Sequence, residues 1–331
     1  MPDAAQRDLS AIFRLSSNSL PVRERLSQWR EMYGRKFLRL EHEPLSDLSF
    51  EVDLTVRKLP DFGIAAVRIS PLRVGRTREL ISDGNDGLTF QLSSTAGIAK
   101  QLGREVEVGA GQAIAMSNAD VGTFDFPLGA RALALSLSRG RLAGLVRNLE
   151  DTLVRAVPKD DQAVALLKNY IGALDDLPAH AAPELAELIA AHLYDLAGLA
   201  LGAAGDAAAL ARDRGVRAAR LVAAKAFVRR HLHRADLRAD SVAVHLGVTP
   251  RYVHMLFEPD GLSFLEYVLT ERLARVYRAL LSDPTRSVSA VAFATGFGDL
   301  SHFNRTFRRR FGRTPTELRA EERREPAEGL G

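Results

Sequence analysis

The chain predicts two domains of different class: an N-terminal antiparallel β-barrel with flanking helices, then an all-α double helix-turn-helix. Three observations carry this. A period-two apolar pattern fills the first half of the chain and stops near Ser138. A helix-turn-helix grammar is written twice near the C-terminus, the copies about fifty residues apart. The net charge of +4 is split: 18 Lys or Arg stand against 9 Asp or Glu over residues 216–319, and the remainder sums to −5. A basic third beside a mildly acidic remainder suits a polyanion-binding domain joined to something else.

At 331 residues each domain can bury its own core. The chain has no cysteine, which excludes disulfides, thiolate chemistry and cysteine-ligated zinc and suits a reducing compartment. Met1-Pro-Asp-Ala-Ala-Gln-Arg-Asp lacks the basic-then-apolar order of a signal peptide. The most apolar run, residues 189–204, contains His192 and Asp195 and is too short to span a bilayer. A cytoplasmic protein without membrane contact is expected.

Residues 22–37 predict an amphipathic helix with Leu26, Trp29 and Tyr33 on one face, and Trp29, the single tryptophan, reads as a core anchor. Strands follow from about residue 48 to 138. Phe50, Val52, Leu54 and Val56 alternate with polar residues, as do Leu88, Phe90 and Leu92. Val106 and Val108, then Ile114 and Met116, flank a turn at Gly109-Ala-Gly111; Phe124 and Phe126, then Leu133, Leu135 and Leu137, complete the set. Short alternating runs between Gly, Pro, Asn and Asp turns indicate a sandwich or barrel.

Two helical stripes come next: Leu167, Tyr170, Ile171, Leu174 and Leu177, then Leu185, Leu188, Ile189, His192 and Leu196. The pair either closes the barrel core or supplies a dimer seam. Domain one thus spans 1–201. Residues 202–215, rich in Ala, Gly and Asp, read as a linker, parts of which can be helical.

The second domain spans 216–322, with a flexible tail at 323–331. Leu221, Ala224, Phe227 and Val228 open its first helix. The first unit reads Ser241-Val-Ala-Val-His-Leu-Gly-Val-Thr-Pro-Arg-Tyr-Val-His-Met-Leu-Phe257; the second reads Ser289-Ala-Val-Ala-Phe-Ala-Thr-Gly-Phe-Gly-Asp-Leu-Ser-His-Phe-Asn-Arg-Thr-Phe307. Ala243 and Ala292 each stand four residues before a glycine, Gly247 or Gly296. The alanines permit close helix approach, and the glycines can adopt the left-handed backbone of a tight interhelical turn. Thr249-Pro250, Asp299 and Thr314-Pro315 are helix starts. A long helix over 263–281, ended by Asp283-Pro284, separates the units. Double-stranded DNA is the expected partner.

The second unit and its continuation, Ala294-Thr-Gly-Phe-Gly-Asp-Leu-Ser-His-Phe-Asn-Arg-Thr-Phe-Arg-Arg-Arg-Phe-Gly-Arg-Thr-Pro315, closely resembles the signature of AraC/XylS-family transcription regulators. The resemblance covers residues 218–319. The preceding barrel is similar in layout to that family's cupin-like regulatory domain, and Trp29-Arg-Glu-Met-Tyr-Gly-Arg35 looks like the subgroup with an AraC-binding-like domain. The resemblance implies an activator that acts on an operator with RNA polymerase. It implies two helices in successive major-groove segments, about one turn or roughly 34 Å apart.

Matched to the family, base-reading positions fall at Arg251, His254 and Met255 in the first unit and at Ser301, Asn304 and Arg305 in the second. The spacing puts each trio on one face of a helix. Arg suits guanine and Asn suits adenine through paired hydrogen bonds, whereas Met255 departs from the family and offers only apolar contact, for instance to a thymine methyl. Thr249, Arg308, Arg309 and Arg310 are read as phosphate contacts, the alternative for the arginines being a solvated face. Phe307 and Phe311, at i and i+4, anchor that helix into its core.

An enzyme reading finds little support. Metal-binding cupins supply His-x-His with further Glu and His ligands, but His42 is the only histidine before His180. No Gly-x-Ser-x-Gly elbow or phosphate-binding loop is present. No metal or cofactor is expected. The N-terminal domain is read as sensing a small organic effector, forming a homodimer, or both; a purely dimerising barrel is the alternative.

Overall fold

The computed structural model describes residues 12–174, 182–258, 261–283 and 285–322. The expected tail at 323–331, together with Leu177, Pro284 and the first eight residues, lies outside the described residues. The chain divides into two compact units, residues 1–219 and 220–331.

Among the described residues twelve strands build the first unit: β1 (Ile12–Ser16), β2 (Glu41–Pro44), β3 (Val52–Leu59), β4 (Phe62–Ile69), β5 (Leu72–Arg76), β6 (Leu88–Ser93), β7 (Gly97–Gln101), β8 (Arg104–Val108), β9 (Ala113–Ser117), β10 (Gly122–Phe126), β11 (Ala130–Leu137) and β12 (Ala156–Val157). They pair antiparallel in two sheets, ordered β1-β3-β4-β11-β6-β9-β12 and β2-β5-β10-β7-β8. The barrel expected from the alternation is therefore an open one. Its edge strand β12 is only two residues long and β2 ends at Pro44, so neither extends a ladder that could join the sheets.

The alternation in β3 is buried as read, with Val52, Leu54 and Val56 inside. The expected N-terminal helix forms as α1 (Arg25–Trp29), continued by wider π-type turns over Arg30–Leu38. Trp29 is fully buried, its ring 5.1 Å from Tyr33 and 6.1 Å from both His42 and Phe50, and so fastens this helix to β2 and to the start of β3. Behind β11 come two short helices, α2 (Arg139–Ala143) and α3 (Leu149–Thr152). They precede the two expected long ones, α4 (Gln162–Leu174) and α5 (Pro183–Ala200).

The α4 stripe is buried as predicted through Leu174. In α5 the expected stripe holds at Ile189 and Leu196, which are buried, and fails at its start. Leu185 and Leu188 remain 42% and 50% exposed, while Ala186, Ile189, Ala190, Leu193 and Ala197 face inward. Tyr194 anchors the inner face, its ring meeting Phe62 at 5.3 Å and its hydroxyl accepting the Ser138 N–H at 2.7 Å.

The segment expected as a linker is structured. Residues Gly205–Ala211 form α6, and a further helical stretch covers Arg212–Val216. Arg214 donates to both carboxylate oxygens of Asp195, a fully buried residue of α5, at 2.6 and 2.7 Å. An Ala-rich sequence with little glycine inside the helix favours this outcome over a flexible coil. No described helix is long and apolar enough to cross a membrane.

Candidate nucleic-acid interface

Among the described residues, every regular element that follows is a helix: α7 (Arg217–His231), α8 (Ala239–Leu246), α9 (Pro250–Phe257), α10 (Phe264–Ser282), α11 (Val288–Ala294), α12 (Leu300–Phe311) and α13 (Pro315–Glu322). The helices form two small cores. One gathers Val228, Leu232, Val242, Val253 and Phe257 around the first half of α10, at Phe264, Tyr267 and Val268. The other gathers Val291, Phe297, Phe303 and Phe307 around its second half, at Leu273, Val276 and Leu280. One uninterrupted helix thus belongs to both cores and holds the two helix-turn-helix units together.

The turns form as the sequence requires. Gly247 and Gly296 adopt φ of 62° and 88°, and Ala243 and Ala292 are buried against their partner helices. Gly296 has a second reason to lack a side chain, because a Cβ there would lie 2.2 Å from the Leu232 carbonyl oxygen. That carbonyl and the one of Arg234 accept from the Arg272 guanidinium at 3.2 and 2.6 Å. Arg272, on α10, so caps the end of α7 and ties the second turn to it. It is a structural residue that the sequence reading missed, since nothing local marks a contact to carbonyls some forty positions away.

Caps fix where each exposed helix begins and therefore which residues it presents. The Thr249 hydroxyl accepts the Tyr252 N–H at 3.2 Å, with Pro250 at the first helical position. The Asp299 carboxylate accepts the His302 N–H at 2.8 Å. Backbone N–H groups of His302 and Ser301 hold the Asp299 carboxyl below its usual range. Ser263 with Glu266 and Thr314 with Glu317 close reciprocal capping boxes on α10 and α13.

With the starts fixed, α9 buries Val253, Leu256 and Phe257 and exposes Arg251, His254 and Met255. In the same way α12 buries Phe303, Thr306 and Phe307 and exposes Ser301, Asn304 and Arg305. Each predicted trio therefore shares one exposed face. Arg308, Arg309 and Arg310 are exposed in the last turn of α12, and Phe311 is half-buried, its ring 4.6 Å from Phe307 and 4.8 Å from Tyr277. Thr249 spends its oxygen on the cap, and its hydroxyl hydrogen remains to donate outward. A second contact not read from sequence places the Arg220 guanidinium 5.2 Å from the Tyr252 ring, bracing α9 on α7. Among the described residues no three His, Asp or Glu side chains gather as a metal site.

Two turn-linked helix pairs, each presenting a capped helix with a polar outer face, define a double helix-turn-helix DNA-binding regulator. The profile of an AraC-binding-like domain matches residues 29–202, and that of a helix-turn-helix domain matches residues 242–321. The chain belongs to the AraC family of transcription regulators. The transcriptional activator NphR of Rhodococcus sp is 27% identical over 329 residues, 97% of each chain. The transcriptional activator RhrA of Rhizobium meliloti (strain 1021) is 30% identical over 194 residues, 58% of this chain and 60% of that one. In fold, the chain is similar to the crystal structure of the AraC-like transcriptional activator CuxR, with a TM-score of 0.50 and 20% identity over 81% of this chain and 95% of that one.

Proposed function

We propose that the chain is an activator that reads a two-segment operator, α9 and α12 each entering one stretch of major groove. Arg251, His254 and Met255 meet the bases of one segment, and Ser301, Asn304 and Arg305 those of the other. Thr249, Arg308, Arg309 and Arg310 hold the flanking phosphates. The observation that carries this reading is the matched exposure of the two trios on helices of one unit that share α10. Arg and Asn can each make paired hydrogen bonds to a base edge. The names of NphR and RhrA support activation, and RNA polymerase is the partner this reading assigns to the chain on DNA. The first unit serves as the regulatory part, sensing a small organic effector, forming a homodimer, or both; the exposed Leu185 and Leu188 on α5 favour a dimer seam there. It carries out no catalysis.

Footprinting the full chain on DNA upstream of its neighbouring genes, with and without candidate metabolites, tests the reading. Two protected segments about one helical turn apart are expected. A single short footprint, or protection without sequence preference, overturns it.

A further inference from the structure

The outer face of the seven-stranded sheet is only half covered. Registered partners share that face, so Arg57, Ile64, Leu135 and Phe90 form one row across it and Thr55, Ala66, Leu133 and Leu92 the next. In the first row Ile64, Leu135 and Phe90 are buried, whereas in the second Ala66 is exposed and Leu133 half-buried. Between this open end and the first half of α4 lies a groove of about 1120 Å³, floored by Ala66, Leu92, Leu133 and Val164. A second cleft of about 660 Å³ shares Thr55, Ala66, Leu133 and Lys168 with it and runs on along α4. Lys168 stands where the two meet.

The rim is cationic. Arg68, Arg131, Lys159 and Lys168 line the groove, against the carboxylates of Asp53 and Asp160. Arg68 is already paired with Asp53, but among the described residues no ion pair within 4.0 Å engages Arg131, Lys159 or Lys168. This runs against the charge of the region, because residues 1–215 carry 25 Lys or Arg against 28 Asp or Glu and sum to −3. Three cations without an ion-pair partner around a partly apolar floor repel one another, and an anion seated among them relieves that repulsion while covering Ala66 and Leu133. The volume of about 1120 Å³ lies just above the usual range for small-molecule sites, about 300–1,000 Å³.

We propose that this groove binds a small organic anion with an apolar body, its acid group among Arg131, Lys159 and Lys168 and its body on Ala66 and Leu133. The site lies outside the two sheets, on the face that α4 overhangs. The proposal rests on the regulatory reading given to the first unit, for which such an anion is the effector. The position suits that role. The Tyr170 hydroxyl on α4 meets Nδ1 of His192 on α5 at 2.9 Å, and α5 holds Arg214, three residues before α7 begins.

Calorimetric titration of the full chain with 2-naphthoate, its neutral counterpart 2-naphthamide, and decanoate tests the site. Naphthoate is expected to bind at least tenfold more tightly than naphthamide, and the R131Q/K168Q pair to remove that difference. K159Q alone is expected to give an intermediate loss. These side chains are exposed, so circular dichroism and DNA affinity without ligand should stay at the wild-type level. The proposal is overturned if the glutamine variants bind naphthoate like wild type, if naphthamide binds equally well, or if neither acid binds at millimolar concentration. Loss of DNA binding by the wild-type chain sinks the regulator reading, and titration of the groove reports separately from it.

Discussion

Arg305 and Arg309 stand four residues apart on α12, both exposed, yet their expected roles differ. Arg305 shares its face with Ser301 and lies beside Asn304, where side chains reach base edges; Arg309 follows one turn later on the same side, in the last turn of the helix next to Arg308 and Arg310. Arg305→Ala should cost roughly 1–3 kcal/mol of specific binding and relax preference at one operator position. Arg309→Ala should weaken binding to all sequences alike and lower the salt slope by about one. Indistinguishable behaviour in salt-dependent affinity measurements would mean that the recognition face is misassigned. A second residue, His42, speaks for the other unit. Burial pushes its pKa down to about 4, the nearby Leu40 carbonyl and Glu41 opposing only in part. Between about pH 6.5 and pH 4 the unfolded chain then binds a proton that the folded chain refuses. Stability is complete above that window and is lost as the pH falls through it, by up to about 3 kcal/mol at 1.36 kcal/mol per pH unit. Trp29, the single tryptophan, has its ring 6.1 Å from that of His42 and reports the unfolding of its own unit. Urea midpoints followed by its fluorescence should fall more steeply with acid in wild type than in His42→Gln; parallel curves would remove His42 as the cause.

At the scale of elements, the stretch before α7 depends on one ion pair with unequal partners. The Asp195 carboxylate is 1% exposed and the Arg214 side chain 44% exposed. Removing Arg214 strands a buried charge, which costs about 3–5 kcal/mol. Removing Asp195 frees a guanidinium that water can solvate, so only hydrogen bonds are lost, about 1–3 kcal/mol. Arg214→Ala should therefore lower the thermal midpoint of the first unit more than Asp195→Ala does, and the reverse order in calorimetry would contradict this account. The same pair shows why the sequence misled over residues 202–215: composition suggested a linker, whereas helix propensity and a partner nineteen residues back order Arg212–Val216. Alternating strands such as β3, β6 and β11 were legible because large and polar residues take turns along them. Strand β4 was not, since Phe62 and Ile64 alternate in one phase and Val67 and Ile69 in the other, with Ala65-Ala66 between them. The start of the α5 stripe was misread for a related reason. Counting leucines chose Leu185 and Leu188, while that end of the helix packs through Ala186 and Ala190. The two trios on α9 and α12 were legible because Thr249-Pro250 and Asp299 set each helix's first residue, and every later residue's direction follows. Arg272 and the groove beneath α4 depend on long-range packing that no local pattern encodes.

For the whole molecule, the question is what the first unit adds to a DNA reader whose caps, turns, cores and positive charge all lie in the second. A fragment beginning at residue 216 contains all of α7–α13 and should fold and bind DNA by itself at low salt. A fragment with helical circular dichroism but no DNA affinity would show that the reader is not self-contained. If it binds, affinity alone does not require the first unit, which must then act on occupancy. Two physical routes are open to it. Dimerisation would make binding to the second half of a paired site intramolecular, raising overall affinity with no new contact to DNA. Alternatively, an effector would shift the chain between arrangements, by no more than the difference in its affinities for them, about 1–3 kcal/mol in typical coupling. Full-length protein should thus bind a two-half-site operator more tightly than the fragment does, or show an affinity that changes with an organic anion. Sedimentation separates the two routes, since only the first requires a dimer. Equal affinities of fragment and full chain for the paired site, with no dimer and no response to 2-naphthoate or decanoate, would leave the first unit without the regulatory role assigned to it.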